Sequence, residues 1–487
     1  MSVRLQTRVM VGLLAAALLW VGSLIPPMQS PDEVAHTVRA HLLARGQLLL
    51  ERHDGVSGGW IDAGLAAFID AYRPLMVKPP AAAGFGEAQA HAARQIRWQS
   101  QRVFVPEPGT GYYPPVIYMP HAVGWWVGES LGLTVSASYQ LSRALALAVS
   151  LAVLLLAFTL HAPSALVWAL LALPMSLFQL AMPVIDGLTA SLALLAVALA
   201  RVAAQPASLW PAQLAPIGLF FTLVVLTSTR IHLAPMLLLL LVVAWQRASK
   251  TLWVLAVVAP TLVVGWFLFA LSDTVDQRVV RPLATGEIAL HYLTHPLELL
   301  SALKNTWLDP ETMAFLGQSF IGILGWLDTP LLGQQYTSLG VGLFLCTIAS
   351  LPQLTRPRSA GRSPADSAQQ AVTLALWLAG LASLVLVFLA MLIAWSPFPA
   401  LRVEGVQGRY LLIPALLLAL AMHGATPLPQ DMPSKSPALT AQAIRSDHGP
   451  WPDMRRWAVV LFRGLAAPLF LAWSLNALIP TLLTRYH

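Results

Sequence analysis

Apolar runs close to the thickness of a bilayer's hydrocarbon core recur along the whole chain, separated by short polar breaks. A transmembrane helix needs about 20 mostly apolar residues. Windows of that kind fall at residues 9–25, 141–160, 164–182, 186–204, 211–229, 231–246, 250–271, 333–352, 371–396, 409–424 and 457–480. They predict an all-α polytopic membrane protein with about eleven transmembrane helices, in a range of about nine to thirteen. Two more apolar stretches, 114–133 and 312–332, are broken by Gly, Pro or charge. Each reads equally as a span, a re-entrant piece or an interfacial helix.

The polar stretches between these windows differ in kind. Residues 26–113 form the longest, read as a first extracytoplasmic loop, with an interfacial helix near 31–45 where Val34, Val38 and Leu42 recur at helical spacing. A second extracytoplasmic loop is expected at 272–305, and basic, Pro- and Ser-rich cytoplasmic connections at 353–370 and 425–456. No repeat of fixed period appears, so residues 1–487 read as a single membrane domain.

Composition supports this reading. Of 487 residues, 57% are hydrophobic and 10% charged, against about 25% charged in a soluble domain. The 29 Lys and Arg outweigh the 22 Asp and Glu, for a net charge of +7. That excess does not point to nucleic acid, because the basic residues sit in short connections. With the N-terminus in the cytoplasm, Arg201, Arg247, Lys250, Arg356, Arg358, Arg362, Arg445, Arg455, Arg456 and Arg463 all fall on the cytoplasmic side. Arg4 and Arg8 precede the first run and Pro26-Pro27 follows it without a small-residue cleavage site, so that run is expected to be a retained span. Cys346, alone and within an apolar run, allows no intramolecular disulfide and reads as packing.

The candidate chemistry lies at the other ends of the spans. Asp32, His36 and Arg39 share the helix face opposite the Val34 stripe. Glu33, three residues after Ser30, completes a capping box that needs no function. Asp186 begins one span, Arg230 and His232 mark a turn between two others, and Trp326, Asp328, Gln407, Arg409 and Tyr410 stand at later boundaries. Charge at such depths is costly unless paired or used, so a shared extracytoplasmic pocket is expected. Taken singly, Trp326 and Tyr410 also suit an aromatic belt, and Arg409 suits snorkelling. Glu287, His291 and His295 at spacings of four allow metal ligation but read first as an amphipathic helix.

Pro-Asp-Glu-Val-Ala-His after the first span, Tyr112-Tyr113-Pro114-Pro115, Gly-Trp-Leu-Asp and Gln-Gly-Arg-Tyr-Leu-Leu-Ile-Pro resemble a bacterial membrane family known as domain of unknown function 2142. That family is similar to the multi-pass C-type (GT-C fold) glycosyltransferases, whose donors are sugars on polyprenyl phosphate. The resemblance implies a bacterial inner-membrane enzyme with its active site outside the cytoplasm. Its substrates would be a polyprenyl-phosphate-linked sugar held in the lipid bilayer and a hydroxyl acceptor. Asp32 or Glu33 would be the base, and Asp186 a second acid. Arg230 and Arg409 would meet the donor phosphate, since a planar guanidinium binds it at two points. The mechanism expected is an inverting single displacement.

No cofactor is assigned. A divalent metal is optional, for Asp32, Glu33, His36 and Asp186 have no diagnostic spacing. The alternative is a transporter or flippase of a lipid-linked sugar. It is disfavoured because spans such as 141–160 and 371–396 carry almost no ionisable residue apart from Arg143, and no inverted repeat is visible.

Overall fold

The computed structural model describes the backbone of residues 3–205, 210–351, 364–423 and 452–487. The connections expected at 353–370 and 425–456 fall largely outside those residues. Six described helices are long and apolar enough to cross a membrane: Leu5–Leu24, Val135–Leu160, Asp186–Ala203, Lys250–Asp273, Asp366–Ala394 and Gly464–Tyr486. Gln213–Thr229, Ile231–Arg247 and Gly408–His423 are apolar but shorter, and Gly333–Ser350 covers the window at 333–352. The window at 164–182 is split into Ala165–Leu171 and Pro174–Ala181. Pro174 has no N–H to continue the first helix, and it suits the first position of the next.

Neither ambiguous stretch is a helix of span length. Residues 114–133 form a 3-10 turn, Pro115–Tyr118, and the 12-residue helix Met119–Ser130. Residues 312–332 lie in the 13-residue helix Pro310–Gly322 and the small hairpin after it. At about 1.5 Å per residue both helices fall short of a hydrocarbon core of about 30 Å.

Asp186–Ala203 is the most enclosed of the long helices, with 83% of its apolar window buried. Its 18 residues rise about 27 Å, so Asp186 and Arg201 mark opposite ends of the bundle. Arg201 donates to the Gln369 carbonyl at 2.8 Å, and Arg247 donates to the Ala203 carbonyl at 2.9 Å. These basic residues therefore share one end. The first polar loop, with Asp186, Arg230 and Arg409, occupies the other.

That first loop contains a small sheet that the hydrophobic pattern did not announce. Strands β1 (Glu51–His53), β2 (Val56–Asp62) and β3 (Arg102–Pro106) pair antiparallel in the order β1-β2-β3. Asp54 and Gly55, both at positive φ (48° and 77°), make the two-residue turn between β1 and β2, as such hairpins require. The segment after Lys250–Asp273 docks on this sheet: Ser57 N–H donates to the Val275 carbonyl at 3.0 Å.

The helix expected on the membrane surface, observed at Glu33–Ala44, is instead buried on both faces. It packs against β2 and Met119–Ser130. A Cβ on Gly59 of β2 would come within 2.4 Å of Leu42, so this glycine permits the close approach. The enclosure decides where the polar residues of the helix point.

Candidate functional site

Asp32 caps the helix Glu33–Ala44 from the left-handed region, φ 65°, a conformation that Asp tolerates better than most residues. The cap is shaped from behind by Glu33. Its carboxylate accepts the Met28 and Ser30 N–H groups at 2.8 and 2.9 Å and the Tyr139 hydroxyl at 2.5 Å. Glu33 is wholly buried, and burial raises its carboxyl above the usual value against these donors. Only half of the expected capping box forms, because the Ser30 hydroxyl turns to Gln179 at 3.2 Å. The tight turn thus pushes the Asp32 carboxylate outward.

The side chain of Asp32 is 52% exposed although Arg409, His36 and Arg230 lie close around it. Arg409 reaches it across the bundle: Nη2 donates to Asp32 Oδ2 and Nη1 to the Pro31 carbonyl at 3.3 Å. Gln407 Oε1 fixes Arg409 Nε at 2.7 Å. Between them Gly408 lies against the helix Pro310–Gly322, where a Cβ would come within 2.1 Å of the Phe320 nitrogen. Any side chain at 408 would therefore displace Arg409. Burial alone would raise Asp32, but Arg409, with Arg230 beyond it, outweighs it and holds the carboxyl below its usual value. Asp32 is ionised at neutral pH.

A second pair stands beside the first. Arg230, in the break between Trp210–Thr229 and the turn Ile231–Leu237, donates to Asp186 Oδ1 at 2.8 Å. Asp186 opens its own helix, where the helix dipole favours an acid. Arg409 and Arg230 are electrostatic neighbours of each other and of both acids. Asp186, Arg230, His232, Arg409 and Tyr410 line one cavity of about 480 Å³ including its open mouth, with Gln179 and Phe320. Three of the five expected polar clusters thus meet in one cavity, and the Asp32–Arg409 pair ties a fourth to it.

His36 lies behind this group. Its Nδ1 is 2.8 Å from the Tyr118 hydroxyl. Burial lowers its pKa to about 4 despite the nearby Asp32 and Asp186, so its ring is neutral. Arg39, expected on the same face, is not part of the cavity. It is 1% exposed and donates to the carbonyls of Gln47 and Leu48 at 3.2 and 2.5 Å. The helix it belongs to is enclosed by protein, so its polar face meets backbone rather than solvent.

The fifth cluster also differs from expectation. Trp326 Nε1 donates to the Met28 carbonyl at 3.1 Å, which steadies the turn before Asp32. Asp328 pairs with Arg485 at 2.9 Å and is absent from the lining of the cavity. Among the described residues no three of His, Cys, Asp and Glu gather where a metal ion could be held. Glu33 is engaged by Met28, Ser30 and Tyr139, Glu287 caps its helix through the Ala284 N–H, and His291 is bonded to Glu298 at 2.9 Å.

Two residues were missed. Tyr113 places its ring 5.7 Å beneath the Arg230 guanidinium and lies within electrostatic range of Asp32. The Tyr112-Tyr113-Pro114-Pro115 motif carries the family resemblance, but nothing in the sequence alone assigns Tyr113 to the site. Glu107, after β3, is also an electrostatic neighbour of Asp32. Burial pushes its carboxyl up to about 7 against the pull of Arg278. No signal in the sequence marked it.

No curated protein and no solved structure matches the chain. A family model does, and it covers residues 14–419, which take in Asp32 and the whole cavity lining from Met175 to Ile413. The chain therefore belongs to the DUF2142 family of predicted membrane proteins.

Proposed function

We propose that this protein is a membrane glycosyltransferase of the C type, moving a sugar from a polyprenyl-phosphate donor to a hydroxyl on an envelope glycan, lipid or protein. The observation that carries the reading is the pairing of Asp32 with Arg409 beside Asp186 with Arg230 at one end of a helical bundle. An alcohol attacks poorly until its proton has an acceptor. Arg409 occupies Asp32 Oδ2 and leaves Oδ1 with no bonded partner among the described residues. Oδ1 takes the acceptor's proton as the new oxygen–carbon bond forms at the sugar. The carbon–oxygen bond to phosphate breaks, and its electron pair leaves with the phosphate. Arg230 meets that charge, since one Nη is on Asp186 and its other donors have no bonded partner among the described residues. The mechanism proposed is a single displacement with inversion, in which Asp32 acts as base and no covalent intermediate forms on it.

In this reading the cavity opens outside the cytoplasm of a bacterial inner membrane. The positive-inside rule supports it, because Arg201 and Arg247 sit at the opposite end. A donor whose tail stays in lipid while its headgroup reacts suits a cavity at helix ends. The test compares polyprenyl-phosphate sugars and surface glycans in wild-type, Asp32→Asn and Arg409→Ala cells, with membrane insertion verified. Donor accumulation and glycan loss in both variants are expected. Unchanged glycans in two stably inserted variants overturn the proposal.

A further inference from the structure

The helices Thr285–Thr294 and Pro296–Trp307 are too short to cross a bilayer, at 10 and 12 residues. Yet their outward surface is apolar: Leu293, Leu297, Leu300 and Leu308 are 77%, 80%, 59% and 69% exposed. The second helix carries three kinds of surface. Ala302, Leu303 and Thr306 are buried inward. With about 100° of rotation per residue, Leu297, Leu300, Trp307 and Leu308 fall on one outer arc. Glu298, Ser301 and Asn305, all exposed, fall on the adjoining arc. Lys304 lies within the apolar arc, where its long stem can follow the leucines while its ammonium reaches the headgroups.

The depth of this pair is fixed by its neighbours. Ile288, Tyr292, Ala302 and Leu303 share one core with Val387, Phe388 and Leu392, and Trp307 meets Phe388 edge-on at 5.7 Å. Those three partners lie in the last turns of Asp366–Ala394, a helix of membrane-crossing length. The exposed leucines thus continue the lipid-facing surface of the bundle at the level where a bilayer gives way to headgroups. A surface with an apolar inner arc and a polar outer arc at that level fits lipid acyl chains and headgroups together.

We propose that Thr285–Trp307 lies flat in the membrane interface, with Leu293, Leu297, Leu300 and Trp307 among the upper acyl chains. The element leads directly into the helix Pro310–Gly322, on which Gly408 rests, so the bilayer surface is tied to the position of Arg409. This holds whatever reaction the cavity performs. The test places a nitroxide at Leu300→Cys or Glu298→Cys, about 160° apart on the helix, in a Cys346→Ala background. The full chain is reconstituted in phosphatidylcholine vesicles. Collisional relaxation by oxygen, which partitions into lipid, is compared with that by a water-soluble nickel chelate. Oxygen is expected to dominate at least fivefold at 300, and the nickel chelate at 298. Equal accessibility at both sites, nickel dominance at 300, or poor access of both reagents at 300 overturns the proposal. A label at Leu297→Cys, on the same arc, repeats the reading if the Leu300 variant does not insert.

Discussion

Asp32–Arg409 and Asp328–Arg485 each begin from an aspartate that the sequence placed near a span boundary, and their surroundings differ. In the first pair Arg409 lines the cavity, Asp32 Oδ1 has no bonded partner among the described residues, and Asp186–Arg230 is a neighbour. In Asp328–Arg485 both carboxylate oxygens are engaged, Oδ2 by Arg485 and Oδ1 by the Thr329 hydroxyl, and Arg485 also donates to Thr329 and to the Leu75 carbonyl, joining the last helix to the first loop. Residue types are the same in both. What separates the two pairs is the acid: Asp328 has both oxygens engaged, and Asp32 has one left over.

The sharpest way to break the comparison is to neutralise each acid. Asp32→Asn is expected to lower sugar transfer by about 10²- to 10⁴-fold, the scale of a lost general base. Asp328→Asn is expected to leave turnover per folded molecule within about threefold. Each should cost about 1–3 kcal/mol of stability, because a buried arginine loses a partner. Equal losses of transfer in the two variants at matched melting temperatures would dissolve the distinction.

A smaller effect is expected from the arginines. Arg230→Lys keeps the charge but loses the planar fork, and should weaken donor binding about tenfold, near 1.4 kcal/mol. Arg485→Lys should not change donor binding. Titration of each purified variant with a polyprenyl-phosphate sugar decides the matter.

A pH shift sharpens the comparison further. Arg409 holds Asp32 low against a burial that favours the neutral acid. Arg409→Ala should therefore move the acid limb of the residual activity to higher pH, measured as rate against pH under saturating donor. If the limb stays in place, the pairing does not set the ionisation of Asp32.

The smallest effect concerns His36. Its folded pKa of about 4 lies below the ordinary 6.5, so the unfolded chain binds the extra proton first. Stability contributed by the neutral ring is complete above about 6.5 and is lost as the pH falls toward about 4. Melting temperature recorded across that window should decline less steeply in His36→Gln.

Much of this was legible in the sequence. Span-length periodicity located the long helices, and the cost of charge at helix ends singled out Asp32, Asp186, Arg230, His232 and Arg409, which do share an end of the bundle. The failures have one cause. The first loop was read as surface, whereas it has its own core. That core took Arg39 inward and turned the face expected to meet solvent toward the Gln47 and Leu48 carbonyls. The three short strands and the placement of Glu107 depend on contacts between segments far apart in sequence, such as Ser57 with Val275. Local periodicity carries no record of such contacts.

Asp32 and Arg409 are separated by 377 positions in the chain. A ribosome delivers its product to the membrane from the N-terminal end, so the acid is in place long before the guanidinium has been synthesised. Until residue 409 has emerged, no nascent intermediate holds the finished ion pair. The pair is therefore assembled among the last events of biogenesis.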